Sequence, residues 1–483
     1  MIRRGYSSHG AAIHRAAEKG KSYNPERHLF KRGLFNILNK KMPKIDQKVT
    51  DFLKYLKING NMEKLGTNSD NKNEAVHRWF SFLPGFSHVF VKTTIEYFKP
   101  KADEPYTIFD PFMGSATTAV AGRSFGINVI GNESNQFLYK IGKAKTHVVK
   151  NIESLTKIKQ DVLAEARNKC KKQDISGEHS LLEKCYKKSN LKKLIALRNI
   201  YNSSLVSDEF KPYLFLAISA LLPRCSNVGI SIPYVSWSHE RIPEDPLELL
   251  GKIFDNIKDD LTNIGTQENT ETKIYLHDSR IENSRIKKDN IDLIFTSPPY
   301  LNNFDYGEAL KVYTYFWGFT KNWHDITEKV RRKSLTSATT HYKEVEYNSL
   351  LPKNILGDKF ISDAPRTANI IASKVKLITK AKSKKNREKS FDILTALYFK
   401  DMYDVLSEMH RVLKDNSLCF IIIGDSAPYG VYVPTDEILG KLAVEIGFSK
   451  YSLETLRTRG RKWLNLTYRH KVTLRESLLV LRK

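Results

Sequence analysis

A chain of 483 residues has room for one large domain with insertions or for two to three domains, and 41% apolar with 27% charged residues describes a globular protein, not a disordered one. The formal net charge of +26 calls for a polyanionic partner, most simply nucleic acid, with an acidic membrane surface or plain solubility as the alternatives. There is no long apolar run for a membrane span or a secretory signal, and Cys170, Cys185, Cys225 and Cys419 have no C-x-x-C spacing, which argues for reduced thiols in the cytoplasm and against a disulfide framework or a zinc site.

Residues 1–75 read as a basic extension. Positions 1–44 carry eleven Lys or Arg against Glu18 and Glu26, which suits either a DNA-contacting arm or a solvated tail. A short amphipathic helix is expected over residues 49–58 and a polar linker over 59–73. Residues 76–99 are dense in aromatics. Trp79, Phe80, Phe82 and Phe86 are either core or a wall on which a flat ring stacks. A helix follows to Phe98, with the Ser87 hydroxyl as its expected cap.

Residues 106–133 form a β-α-β unit: a strand at 106–109, a tight loop at 110–114, a helix at 115–124, a turn at Gly126 and a strand at 127–131. Gly114 lets the backbone turn sharply or approach a ligand. Asp110 and Glu133 follow the two strands, and an acid after the second strand is the usual way such a unit holds a ribose diol. The loop lacks the G-K-[S/T] of a phosphate-binding loop.

Residues 134–270 are helical and strongly charged, with a buried helix expected at 210–223 and an aperiodic, donor-rich stretch from Arg224 to Pro243. The block is too long for a simple connection between strand and helix. A third strand is expected at 274–276, ending in H-D-S-R with Asp278 and Ser279.

The fourth strand, 291–295, runs into T-S-P-P-Y at 296–300. Two prolines cannot continue a central strand, and they hold the following residues rigidly. In an open α/β sheet ligands bind beyond the carboxyl ends of strands. Ser297, the Pro298 carbonyl and Tyr300 therefore offer two acceptors and a flat ring, a set that fits a planar group bearing an exocyclic amine. The plain alternative is a proline-rich turn after a buried strand.

Residues 320–390 form a second insertion. It contains T-S-A-T-T-H-Y at 336–342 and ends in a basic run with eight Lys or Arg between Lys374 and Lys389. Lys374, Lys376, Lys382, Lys384, Lys385 and Arg387, with Arg224 from the first insertion, are candidate phosphate contacts. The rest of the chain alternates again: a helix at 391–412, a strand at 417–423 ending in G-D-S, a helix at 434–447 capped by Thr435, and strands near 449–456 and 472–481.

D-P-F-M-G-S-A-T-T at 110–118 and T-S-P-P-Y at 296–300, each after an expected strand, resemble the cofactor and catalytic motifs of the S-adenosylmethionine-dependent DNA amino-methyltransferases, which act on N4 of cytosine or N6 of adenine. The resemblance extends over residues 76–145, 272–317 and 391–481. It implies an α/β, Rossmann-like, mostly parallel methyltransferase sheet with large helical and irregular insertions: a cofactor half at 76–145, an insertion at 146–271 that is either a target-recognition or a helical domain, a catalytic half at 272–319, a basic insertion at 320–390 that would contact DNA and a C-terminal part at 391–483, with either insertion open as the reader of bases. Carried over by motif, Asp110, Pro111, Phe112, Gly114, Ser115, Thr117, Glu133, Asp278, Ser279 and Thr296 would surround S-adenosylmethionine, while Ser297, Pro298, Pro299 and Tyr300 would hold a flipped-out base in double-stranded DNA. Serine at the head of the catalytic motif leans to N4 of cytosine. N6 of adenine, an RNA base, or a non-catalytic DNA-binding core remain as alternatives, and a restriction endonuclease acting separately is the implied companion. Two departures stand out: the cofactor motif precedes the catalytic one, and Ala116 takes the place of the second motif glycine, raising the prospect of weaker cofactor binding. No metal cluster is expected.

Overall fold

The computed structural model describes residues 47–483 except 83, 101–103, 231–233, 265–269, 348–349, 351, 385–387 and 461–471. Its centre is a seven-stranded sheet of β1 (Thr107–Asp110), β2 (Asn128–Glu133), β5 (Thr272–Leu276), β6 (Ile291–Thr296), β7 (Leu413–Gly424), β8 (Lys450–Arg459) and β9 (Leu474–Arg482). The spatial order is β5-β2-β1-β6-β7-β9-β8. The first five strands are parallel, and β9 returns antiparallel beside β7 with β8 outside it. This is the expected α/β sheet. β3 (Val228–Gly229) and β4 (Ser236–Glu240) make a separate two-stranded ribbon in the donor-rich stretch, where no strand was expected because the run has no period-2 alternation.

The chain runs outward to β2 and β5 from β1, then comes back to β6 on the other side of β1. The order therefore reverses between β1 and β6, and at such a reversal the two flanking connections diverge and leave a crevice beyond the strand ends. β1 ends at Asp110 and β6 at Thr296, so both motifs open into the same crevice.

Central strands rich in Ile, Leu and Phe are buried on both faces. One face carries Phe295, Phe420, Leu478 and Val480 against Phe90, Val91 and Ile95 of the helix His88–Phe98. The other packs Ile294, Ile421 and Leu479 against the helix Phe391–Val412, whose bounds match the expected apolar periodicity. The first insertion supplies the helices Ser154–Cys170, Lys188–Tyr201, Lys211–Leu221 and Pro246–Ile264, and shares one apolar cluster with Trp79, Phe80 and Phe137. Asp260 ties it down by accepting from Val76 N (3.0 Å), Arg78 Nε (3.1 Å) and Trp79 Nε1 (2.8 Å).

Several local expectations are corrected. The helix Gln47–Asn59 buries Val49, Phe52 and Leu56 in the sheet cluster, so this part of the expected extension is core. Residues 59–73 are not a free linker: they contain the helix Met62–Leu65 and the turn Asp70–Lys72. Ser87 makes no side-chain cap. Asn71 Oδ1 does that work, accepting from His88 N at 2.9 Å, a partner 17 residues away that no local reading could supply. Thr435 is the first residue of its helix rather than the cap, and its hydroxyl donates to Val433 O at 3.4 Å. Among the described residues no helix is long and apolar enough to cross a membrane.

Candidate active site

At the crevice Thr296 Oγ1 donates to Asp110 Oδ1 at 2.7 Å, joining the ends of β6 and β1. Asp110 also accepts from Phe112 N (3.0 Å) and Thr118 Oγ1 (2.7 Å). It is fully buried, and burial pushes its pKa up to about 6 although these three donors pull it down. Asp110 thus serves as the clasp that shapes the loop after β1; it lies beneath the cavity wall rather than on it. Thr296 is likewise buried below the wall.

Above the clasp lies a cavity of about 390 Å³. Pro111, Phe112, Gly114, Ser115, Thr117, Glu133, Asp278 and Ser279 line one part of it, and Ser297, Pro298, Pro299 and Tyr300 line another. Of the four aromatics in the segment before the first motif, Phe82 and Phe86 reach this wall, whereas Trp79 and Phe80 are core.

Glu133 ends β2 and accepts backbone N–H groups from Gly114 (2.8 Å) and Asn135 (2.7 Å). Burial drives its pKa to about 7, against those two donors. Asp278 is held by Arg280, with Nη2 to Oδ2 at 2.6 Å, and Arg280 is shared with Asp401 at 3.0 Å. The Ser279 hydroxyl donates to Pro111 O at 2.6 Å, locking the loop after β5 to the loop after β1. The wall on this side therefore presents two carboxylates, one of them neutralised, and hydrophobic surface from Phe112 and Leu138. Such a donor set fits a ligand with a diol and cationic groups, as S-adenosylmethionine has, and does not fit a polyphosphate.

Ala116 adopts φ +68°, ψ +34°, the left-handed region a glycine enters freely. Its methyl group is buried with Met113, Ala119, Val129 and Ile274 and does not line the cavity. The cost of the alanine is thus backbone strain, not lost room for a ligand. Ala116→Gly would relieve about 1 kcal/mol of strain and give up a similar amount in methyl burial and chain entropy. Thermal unfolding is expected to change little, and cofactor affinity measured by calorimetry should stay the same.

On the other side, Ser297 Oγ lies 3.2 Å from Ile422 O and 3.4 Å from Tyr300 OH. The Ile422 carbonyl can take only a donated proton, so the Ser297 oxygen is left with lone pairs to offer. Tyr300 OH donates to Glu476 Oε1 at 3.0 Å. Glu476, Arg457, Arg459, Tyr306 and Lys333 also line the cavity and escape a motif-based reading. The one signal for Glu476 is a carboxylate inside the apolar strand L-R-E-S-L-L-V-L. The second insertion also reaches the site through Lys333, Ser334 and Leu335, and T-S-A-T-T-H-Y braces the loop after Tyr300. Ser337 O accepts from Asn302 N at 3.0 Å, and Thr340 Oγ1 donates to Asp305 Oδ2 at 2.8 Å.

The candidate phosphate contacts are dispersed in their commitments. Lys374 donates to Tyr432 O (2.9 Å), Lys382 pairs with Glu344 (3.0 Å) and Arg224 makes a two-point pair with Glu244 (2.8 and 2.7 Å). Lys376 and Lys384 are exposed. Lys385 and Arg387 lie outside the described residues.

Residues 291–475 match the family model described as DNA methylase. Over 455 residues the chain is 22% identical to the type II methyltransferase M.BsoBI of Geobacillus stearothermophilus, covering 87% of this chain and 88% of that one. It is 24% identical to M.MvaI of Kocuria varians (86% and 90% covered) and to M.AvaI of Anabaena variabilis (86% and 87% covered). The rRNA methyltransferase aviRa of Streptomyces viridochromogenes, a solved structure, aligns over 86% of this chain and 92% of its own at 8% identity and a TM-score of 0.27, a likeness that carries no argument. Both motifs meet at one cavity, residues 291–475 resemble the DNA methylases, and over nearly its whole length the chain is similar to type II methyltransferases.

Proposed function

We propose that this protein methylates the exocyclic N4 of a cytosine at a specific short site in double-stranded DNA, as the modification partner of a separate restriction endonuclease. The observation that carries this reading is the shared cavity: Phe112–Ser115 and Glu133 on one side, Ser297–Tyr300 on the other, with the clasp Asp110–Thr296 fixing their spacing.

S-adenosylmethionine, when bound, supplies the methyl group. Glu133 would accept from its ribose hydroxyls, and Asp278 with the backbone at Ser279 would lie by its adenine, as the matching family motifs imply. The chain's own work is then positioning. A flipped-out base is held flat on the Tyr300 ring, and its amino group donates to Ser297 Oγ and to Pro298 O. Two acceptors in fixed directions orient the nitrogen lone pair, and alignment of a near-attack pair is where such a barrier is lowered. None of the four cysteines is at the site, since Cys185, Cys225 and Cys419 are buried elsewhere and Cys170 lies on the helix Ser154–Cys170 of the first insertion. The covalent route to C5 of cytosine is therefore disfavoured.

The test is to incubate plasmid DNA with labelled S-adenosylmethionine and analyse the nucleosides of the digest. N4-methylcytosine is the expected product. N6-methyladenine would overturn the base, and label on RNA alone would overturn the substrate.

A further inference from the structure

We propose that Glu476 is a positioning residue of the base site: from β9 it sets the height and tilt of the Tyr300 ring. The inference rests on the stacking role of Tyr300 proposed above and adds a residue outside both motifs.

Three residues lie in one row across the C-terminal end of β7 and its neighbours. Gly424 on β7 is directly opposite Glu476 on β9, and Glu476 is directly opposite Arg457 on β8. The pairing of β8 with β9 slips between Thr455 and Arg457. A bulge of this kind re-aims a side chain, and here it brings Arg457 level with Glu476, with Nε on Oε2 at 2.5 Å.

Each member of the row has a distinct task. Gly424 leaves a gap: a methyl group there would overlap the Tyr300 ring and the Arg459 guanidinium, so only glycine lets the ring sit down on the strand. With the ring seated, its hydroxyl reaches sideways to Glu476 Oε1 at 3.0 Å. The second carboxylate oxygen is taken by Arg457, and Gly66 closes the remaining side so tightly that a methyl group there would overlap the carboxylate. Glu476 is 2% exposed and keeps two directed partners, so it has no freedom to swing. Arg459 completes the seat, its guanidinium 5.1 Å from the Tyr300 ring centre and anchored on Asp425 O at 2.7 Å.

A stacking ring held only by Pro299 and its own backbone could rock about its side-chain torsions. Fixing the hydroxyl removes that freedom, and a base stacked on the ring inherits the fixed plane. The catalytic effect of Glu476 then passes entirely through the Tyr300 hydroxyl.

The experiment is a double-mutant cycle with a spectroscopic readout. Y300F, E476A and Y300F/E476A are assayed for kcat and KM on DNA. The 13Cζ signal of Tyr300, identified by its loss in Y300F, is followed in protein labelled at tyrosine. Each single variant is expected to lower kcat by about 10- to 100-fold, the size of one hydrogen bond to a charged group. The double variant should fall no further than E476A alone, and the Tyr300 signal should move in E476A. Glu476→Gln keeps the side-chain shape and opens no cavity, but its single acceptor oxygen is left for both the Tyr300 hydroxyl and Arg457; it should retain more kcat than E476A while still shifting the Tyr300 signal. Multiplicative losses in the double variant, or a Tyr300 signal unmoved in both E476A and E476Q, would overturn the inference. If the wild-type protein methylates no nucleic acid, the functional reading fails, and the Tyr300 signal still decides whether Glu476 holds the ring.

Discussion

Alanine at Ser297 is expected to lower kcat for methyl transfer by about 10²- to 10³-fold, the usual cost of deleting one preorganised hydrogen-bonding group at a reacting centre. The hydroxyl proton is committed to Ile422 O at 3.2 Å, which leaves the oxygen facing the cavity as an acceptor. Without it an amino proton of the bound base has no partner in a buried site, and the nitrogen lone pair loses one of two fixed directions. The loss falls on the transition state rather than on ground-state binding, so KM should change far less than kcat. Cofactor affinity should be unaffected, because Ser297 lies on the opposite side of the cavity from Glu133. Steady-state kinetics on a DNA substrate, with calorimetric titration of the cofactor, checks both halves. Equal losses in kcat and cofactor affinity would show that Ser297 supports the fold instead.

Glu133→Gln is expected to separate stability from binding. Glu133 titrates at about 7 in the folded chain against 4.5 as an ordinary glutamate. Between those pH values the folded state holds more protons than the unfolded state, so stability falls as pH rises through the window. A shift of that size amounts to about 3 kcal/mol, fully felt above pH 7. The Glu133→Gln variant cannot titrate at this position, so the parent's stability relative to the variant's should fall as pH rises through the window up to about 7, while Asp110, Asp425, Lys145 and the buried histidines contribute equally to both. At pH 5 the variant should be the less stable of the two, since its amide has one acceptor oxygen for the N–H groups of Gly114 and Asn135. The same change should weaken cofactor binding at least about tenfold through loss of a charged acceptor. Denaturant unfolding at several pH values without cofactor, followed by titration with it, distinguishes these effects. A difference between parent and variant that does not decline between pH 5 and 8 would refute the burial argument.

Glu133 and Glu476 illustrate opposite treatments of a buried acid. Arg457 sits directly on Glu476, a cation placed against the carboxylate. Glu133 has only backbone N–H groups, and its charge is costly until a ligand arrives. A binding site carries this kind of penalty because the ligand, not the fold, is meant to satisfy the group.

The strands of the central sheet, the long helix Phe391–Val412 and the place of the two motifs after β1 and β6 were legible from the sequence, whereas the ribbon β3–β4 and the helices Met62–Leu65 and Pro365–Lys384 were not. The legible features are local properties. Apolar runs of Ile, Leu and Phe specify buried strands, two prolines end one of them, and a 3.6-residue period marks the helix Phe391–Val412. Which of the motif residues face the cavity depended on packing in three dimensions. Asp110 and Thr296 turned inward as a clasp because their side chains hydrogen-bond to each other across 186 residues. Packing also made Asn71 rather than Ser87 the helix cap, let Ala116 strain the backbone without touching the cavity, and set the insertions against the loop after β6 and the aromatic segment before β1. The Tyr300 seat was the least legible part. Gly424, Arg457 and Glu476 lie far from Tyr300 in the chain and carry no shared motif. They meet because β7, β9 and β8 lie side by side with a bulge at the right register, and a register is a relation between strands that no single stretch of sequence contains.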